Sequence, residues 1–141
     1  AQWGQRSLRT ILVGGPPVLG LQWITGGGRP AETHESSEWQ PLRDNNGVSG
    51  HAFMGAIPFM SAAKMTDNWW LKSGLYAAST LPAISRVNDD AHYFSQVFLG
   101  WWLAYIAESA VDRSFRRLSA DRRWSLRPDV MRGGVVFTST W

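Results

Sequence analysis

Apolar residues gather in long stretches along the chain, and the polar segments between them mark where each stretch must end. Residues 10–28, TILVGGPPVLGLQWITGGG, carry no charge and close on a glycine triplet that a helix continues only at a cost of about 1 kcal/mol per residue. They predict a helix, bent or restarted at Pro16 and Pro17 and stopping near Thr25. Residues 29–50, RPAETHESSEWQPLRDNNGVSG, are polar and rich in Pro, Asn and Ser, the composition of a loop, and loops of this length are often functional. Residues 51–65, HAFMGAIPFMSAAKM, predict a helix with Pro58 inside it. The turn TDN at 66–68 has N-cap chemistry, and residues 69–84, WWLKSGLYAASTLPAI, predict the helix that returns. These two form an antiparallel hairpin. Residues 92–111 are apolar on nearly every face, the pattern of a central buried helix or of a membrane span. In the tail, Val135, Phe137 and Trp141 fall on alternating positions and predict one β-strand.

A membrane span needs about 20 mostly apolar residues. Residues 10–28 and 91–107 are charge-free over nearly that length, whereas Lys64 and Lys72 interrupt the other candidates. If 91–107 crosses a membrane, the cluster Arg113, Arg116, Arg117, Arg122, Arg123 and Arg127 follows its far end. The positive-inside rule then places His92 on the extracytoplasmic side. A helical bundle with a solvated basic face is the competing reading of the same cluster.

Composition narrows the classes further. With 141 residues the chain suffices for one domain with a core, divided here into a helical domain at 1–112 and a basic segment with a tail at 113–141. The absence of Cys excludes a disulfide framework and any thiolate metal site. A formal net charge of +3 is small, so the local arginine cluster matters more than the total, and no nucleic-acid partner is expected. The chain opens on Ala1 with no charged leader and no A-x-A cleavage site, which reads as a processed chain or a piece of a longer one.

The hairpin has a chemical consequence, because a helix out and a helix back bring residues 51 and 85 to one end of the bundle. The helix beginning at 92 starts there too, and the loop after Gly28 must feed into His51. Arg29, Ser49, Gly50, His51, Ser85, Arg86 and His92 can therefore gather at one rim. Two arginines, two histidines and the N–H groups of helix N-termini make an anion site, with phosphate as the obvious guest. Asp89 and Asp90 are expected to cap the helix that follows, and Gly100 to permit close helix packing. His34 reads as a loop residue or a substrate contact.

GGGRP at 26–30, SGH at 49–51 and SRVNDDAH at 85–92 resemble, in order and spacing, the three signature motifs of the type-2 phosphatidic acid phosphatase and vanadium haloperoxidase superfamily. The resemblance implies an all-α helical bundle with its active site at one end, and further helices upstream of the first motif. It implies His92 as the nucleophile that becomes a phosphohistidine, and His51 as general acid and later base. Arg29, Arg86, Ser49 and the Gly50 N–H would hold the phosphoryl oxygens, with Ser85 in support. Gln22 stands where the family has Lys, Gln96 where it has Asp, and Val48 where it prefers Pro.

The implied activity is hydrolysis of phosphomonoesters or pyrophosphates, lipid phosphates included, with no cofactor and no metal. It would take place in the cell envelope, at the outer side of a membrane or in the periplasm. Two other readings remain open at this point. One is a haloperoxidase holding vanadate on His92, and the other a non-catalytic helical scaffold that keeps the pocket, as the two glutamines would allow.

Overall fold

The computed structural model describes residues 2–31, 39–121, 124–129 and 134–139, with side chains described for 2–31 and 39–119. His34, Arg122, Arg123 and Trp141 lie outside the described residues, or outside those with described side chains. The chain separates into two compact units, Ala1–Val111 and Asp112–Trp141. The architecture is all-α, a helical bundle.

Helix α1 (Gln2–Thr25) runs through Pro16 and Pro17 without the restart that two prolines predict. Packing explains this. Ser7, Thr10, Gly14 and Val18 recur every three or four residues and are buried on both sides of the proline pair, while the prolines themselves face outward. A face held at both ends by tertiary contact overrides the local penalty. Gly14 sets the contact distance, since a Cβ there would lie 2.6 Å from Phe53 Cζ and 2.9 Å from Ala107 Cβ. The helix stops at Gly26, which takes φ 50° and donates its N–H to the Gln22 carbonyl at 3.0 Å, a left-handed ending that glycine adopts cheaply.

Helix α2 (Gly50–Lys64) is the central element. Ala52, Phe53, Ala56, Ile57, Met60 and Ala63 are all buried, and Phe53, Ile57 and Met60 each contribute about 1.5–3 kcal/mol of burial. Its start is fixed by Ser49, whose Oγ accepts from the Ala52 N–H at 3.3 Å. The helix predicted over 69–84 is in fact two, α3 (Trp69–Ala78) and α4 (Leu81–Asn88). Pro82 lacks an N–H and suits only a first turn, while the Ser79 and Thr80 hydroxyls donate to the carbonyls of Tyr76 and Ala77 at 2.6 and 2.7 Å. The break lets α4 lie close on α2: a Cβ at Gly55 would stand 2.5 Å from Pro82 Cβ.

Helix α5 (Phe94–Asp121) is longer than the predicted 92–111 and is not the all-round buried element that its composition predicts. Val97, Ala104, Ala107 and Val111 are buried, whereas Phe94, Phe98, Trp102 and Ile106 form an exposed stripe at a spacing of four. Among the described residues, no helix is long and apolar enough to cross a membrane, neither α1 nor α5 included. Glu108 is fully buried on α5, and its Oε2 accepts from the hydroxyls of Thr10 on α1 and Ser61 on α2.

In the second unit, β1 (Trp124–Asp129) pairs antiparallel with β2 (Gly134–Ser139), Trp124 opposite Ser139 and Asp129 opposite Gly134. Val135 and Phe137 fall in β2. The partner strand β1 had no signal in the apolar alternation. On the last turns of α5, Arg116 Nε donates to Asp112 Oδ2 at 2.9 Å, so part of the basic cluster is already matched within its own helix.

Candidate active site

Three chain segments meet at a cleft of about 800 Å³. Arg29 comes from the loop after α1, Gly50 and His51 from the first turn of α2, and Ser85, Arg86 and His92 from α4 and the turn after it. Gln22 of α1 lines the same cleft. Ser49 and Gln96 do not line it. Ser49 is fully buried with its hydroxyl engaged as the N-cap of α2, which differs from the phosphate contact that the resemblance implies. Its role is to set the position of Gly50 and His51, whose N–H groups, at the start of a helix, have no partner within it.

The framework behind the cleft is a set of polar contacts between backbone and side chain. Gln22 Nε2 donates to the Val48 carbonyl at 2.8 Å, and the Ser49 N–H donates to the Gln96 carbonyl at 3.0 Å. The start of α2 is thus pinned by α1 on one side and α5 on the other. The turn from α4 to α5 folds back in the same way: the N–H groups of Ala91 and His92 both donate to the Arg86 carbonyl, at 3.1 and 3.3 Å. Arg86 and His92 are therefore tied through the backbone. Asp90 makes the turn with φ 51°, a left-handed conformation that Asp tolerates better than most residues.

Asp89 does not cap the following helix. It is the C-cap of α4, and its Oδ2 accepts from Arg86 Nη2 at 2.9 Å and from the Ser85 hydroxyl at 3.3 Å. The cap of α5 comes instead from Gln96, whose Oε1 accepts from the Tyr93 N–H at 3.0 Å, the reciprocal half of a capping box.

That same amide determines the state of His92. Gln96 Nε2 donates to the Gly28 carbonyl at 3.0 Å, so both ends of the amide are oriented by backbone groups of opposite kind. The atom facing His92 Nδ1, at 3.0 Å, is then the acceptor Oε1. Nδ1 carries the hydrogen, and in the neutral imidazole the lone pair sits on Nε2. His92 is 7% exposed, and burial, the largest influence, holds it below the ordinary histidine value of 6.5. The Gln96 hydrogen bond opposes that shift, and the charges of Arg29, His51 and Arg86 add to it.

Several cleft residues escaped the sequence reading. Asn45, Asn46 and Met54 line the cleft, and Asn46 accepts from Arg29 Nε at 3.0 Å through Oδ1 while donating to Asp44 Oδ1 at 2.9 Å through Nδ2. The polar run RDNNG carried that signal, which a loop assignment hides. Among the described residues, no group of His, Asp and Glu could hold a metal ion.

A family model of the PAP2 superfamily matches the chain over residues 8–118, a stretch that includes all the residues named above as lining this cleft. The chain belongs to the PAP2 superfamily. No curated protein and no solved structure matches it. PAP2 membership supports phosphatase-type activity in general, and the match ends close to where the helical unit does.

Proposed function

We propose that this PAP2 chain hydrolyses phosphate esters or pyrophosphates through a phosphohistidine at His92. The observation that carries the reading is the Gln96 amide, which orients a buried imidazole with hydrogen on Nδ1 and a lone pair on Nε2. Nε2 attacks phosphorus as the bond to the leaving oxygen breaks, and His51 delivers the proton that this oxygen needs. Water then attacks the phosphohistidine, losing its proton to His51, and phosphate leaves. Arg29, Arg86 and the N–H groups at the start of α2 stabilise the equatorial oxygens in both steps. Burial favours a neutral nucleophile, because it disfavours the imidazolium form that cannot attack.

An apolar groove of about 430 Å³ between α4 and α5, lined by Ala83, Ile84, Val87, Phe94 and Phe98, supports an ester with an apolar tail. Helix α4 presents Arg86 to the cleft and Ile84 and Val87 to this groove. The test is turnover of a chromogenic phosphate ester by the wild type and His92→Ala, with alkaline detergent quenching to trap a base-stable, acid-labile phosphoenzyme. The variant is expected to lose at least about a thousandfold in rate and all labelling. Equal activity in the two proteins would refute the phosphohistidine route.

A further inference from the structure

Charged groups around the cleft are engaged within the protein itself. Among the described residues, two arginines face it, Arg29 and Arg86. Arg86 Nη2 is paired with Asp89 at 2.9 Å, and Arg29 is linked through Asn46 to the carboxylate of Asp44. The positions that add or orient charge in the family motif are both amides, and both are already bonded: Gln22 to the Val48 carbonyl, Gln96 to Gly28, Tyr93 and His92. His92 is held toward its neutral form by burial. Among the described residues, the titratable groups lining the cleft are Arg29, His51, Arg86 and His92, with Asp44 and Asp89 behind the arginines.

We infer that the cleft selects a phosphoryl group carrying a single negative charge, either a phosphodiester or a singly protonated monoester, and discriminates against the dianionic monoester. This rests on the hydrolase reading above. With Arg86 paired to Asp89 and Arg29 linked to Asp44 only through the neutral Asn46 amide, a dianion would leave charge uncompensated, whereas a monoanion needs only part of the remaining field and the N–H groups of α2. A monoester loses its second proton near pH 6, while a diester stays a monoanion throughout. The chemistry at His92 is the same for both: Nε2 bonds to phosphorus, the P–O bond to the leaving group breaks, and His51 protonates it. Water then releases phosphate from a monoester, or a new monoester from a diester.

The test compares p-nitrophenyl phosphate with methyl p-nitrophenyl phosphate, which share a leaving group, from about pH 5 to about pH 8. Titrations of the free enzyme enter kcat/KM for both esters and cancel in the ratio of monoester to diester. The ratio should fall about tenfold per pH unit once the monoester becomes dianionic. Its value below that point shows which of the two monoanions the site prefers. Gln22→Lys, which keeps a donor toward the Val48 carbonyl, and Asp89→Asn, which removes the countercharge of Arg86, should each flatten the fall. A wild-type ratio that stays level or rises across the range overturns the inference and leaves the hydrolase standing. Monoester turnover that persists undiminished as the dianion forms, with none of the diester, likewise overturns the inference alone, and absence of His92-dependent turnover of both esters overturns both readings.

Discussion

Replacing Gly100 by alanine tests whether packing at the foot of the cleft governs its chemistry. Gly100 lies on α5 beneath Ser49. A methyl group there would overlap the Ser49 carbonyl oxygen, sit 3.2 Å from the carbonyl carbon and reach within 3.4 Å of Ala52 Cβ. Restoring an ordinary C···O separation of about 3.3 Å requires the start of α2 to retreat by about 1 Å. That retreat pulls on the bond from the Ser49 N–H to the Gln96 carbonyl, and it carries Gly50 and His51 away from His92. Overpacking costs about 1–3 kcal/mol, of which the better helix propensity of alanine returns about 1. The fold should therefore lose no more than about 2 kcal/mol. A misplacement of about 1 Å between reacting groups can cost about a hundredfold in rate. The expected result is a dissociation of the two readouts: a modest shift of the urea midpoint by circular dichroism, beside a hundredfold fall in kcat/KM for an aryl phosphate. Gly74→Ala serves as the control, since a Cβ there meets nothing within 4 Å. Full activity in Gly100→Ala, or a loss no larger than the unfolded fraction, would refute the reasoning.

Other outcomes follow from the same contacts. Because the neutral form of His92 is the nucleophile and its pKa is lowered, the acid limb of kcat/KM should lie below pH 6.5; Gln96→Asp, adding a negative charge beside the ring, should move it upward, and an unmoved limb counts against the assignment. Stability carries the same sign: between its lowered folded value and 6.5 the unfolded chain binds the proton more readily, so stability falls with acid in that window. Urea titrations should show a shallower fall in His92→Gln than in the wild type. Glu108→Leu should cost about 1–3 kcal/mol by leaving the Ser61 hydroxyl without its acceptor, and Ser61→Ala in the same chain should recover part of it, measured as a double-mutant cycle.

Helix boundaries were legible where a charge-free run met a glycine stop, as at Gly26, or where a residue with N-cap chemistry opened the next helix, as at Asn68. The convergence of residues 29, 51, 86 and 92 was legible because helix lengths and turn positions dictate which ends meet. What could not be read is how burial distributes among apolar helices. Helix α2, with Pro58 and Lys64 in its sequence, is the buried centre, while α5, whose first half is free of charge, leaves an aromatic stripe exposed there. Periodicity cannot rank two elements that are both apolar on most faces. The split between α3 and α4 depends on Ser79, whose hydroxyl donates to the Tyr76 carbonyl and accepts from Trp101 Nε1 at 2.9 Å, a contact across 22 residues that no local pattern encodes. Asp89 was misplaced for a similar reason. Its partner lies behind it in the chain, on Arg86, and composition alone gives no direction to a carboxylate in a turn.

The three hydrogen bonds of the Gln96 side chain join the first motif to the third, because the amide touches Gly28 with one end and His92 with the other. A Cβ on Gly27 would stand 2.6 Å from that amide nitrogen, so the backbone there has room for this side chain and little more. An aspartate at position 96, as in the motif that this segment resembles, is shorter and brings no donor for the Gly28 carbonyl. An aspartate there would thus break the junction between Gly28 and His92. Holding the loop after α1 against the turn before α5 and fixing the tautomer of His92 are thus one task of a single amide, so the assembly of the site and its chemistry stand or fall together.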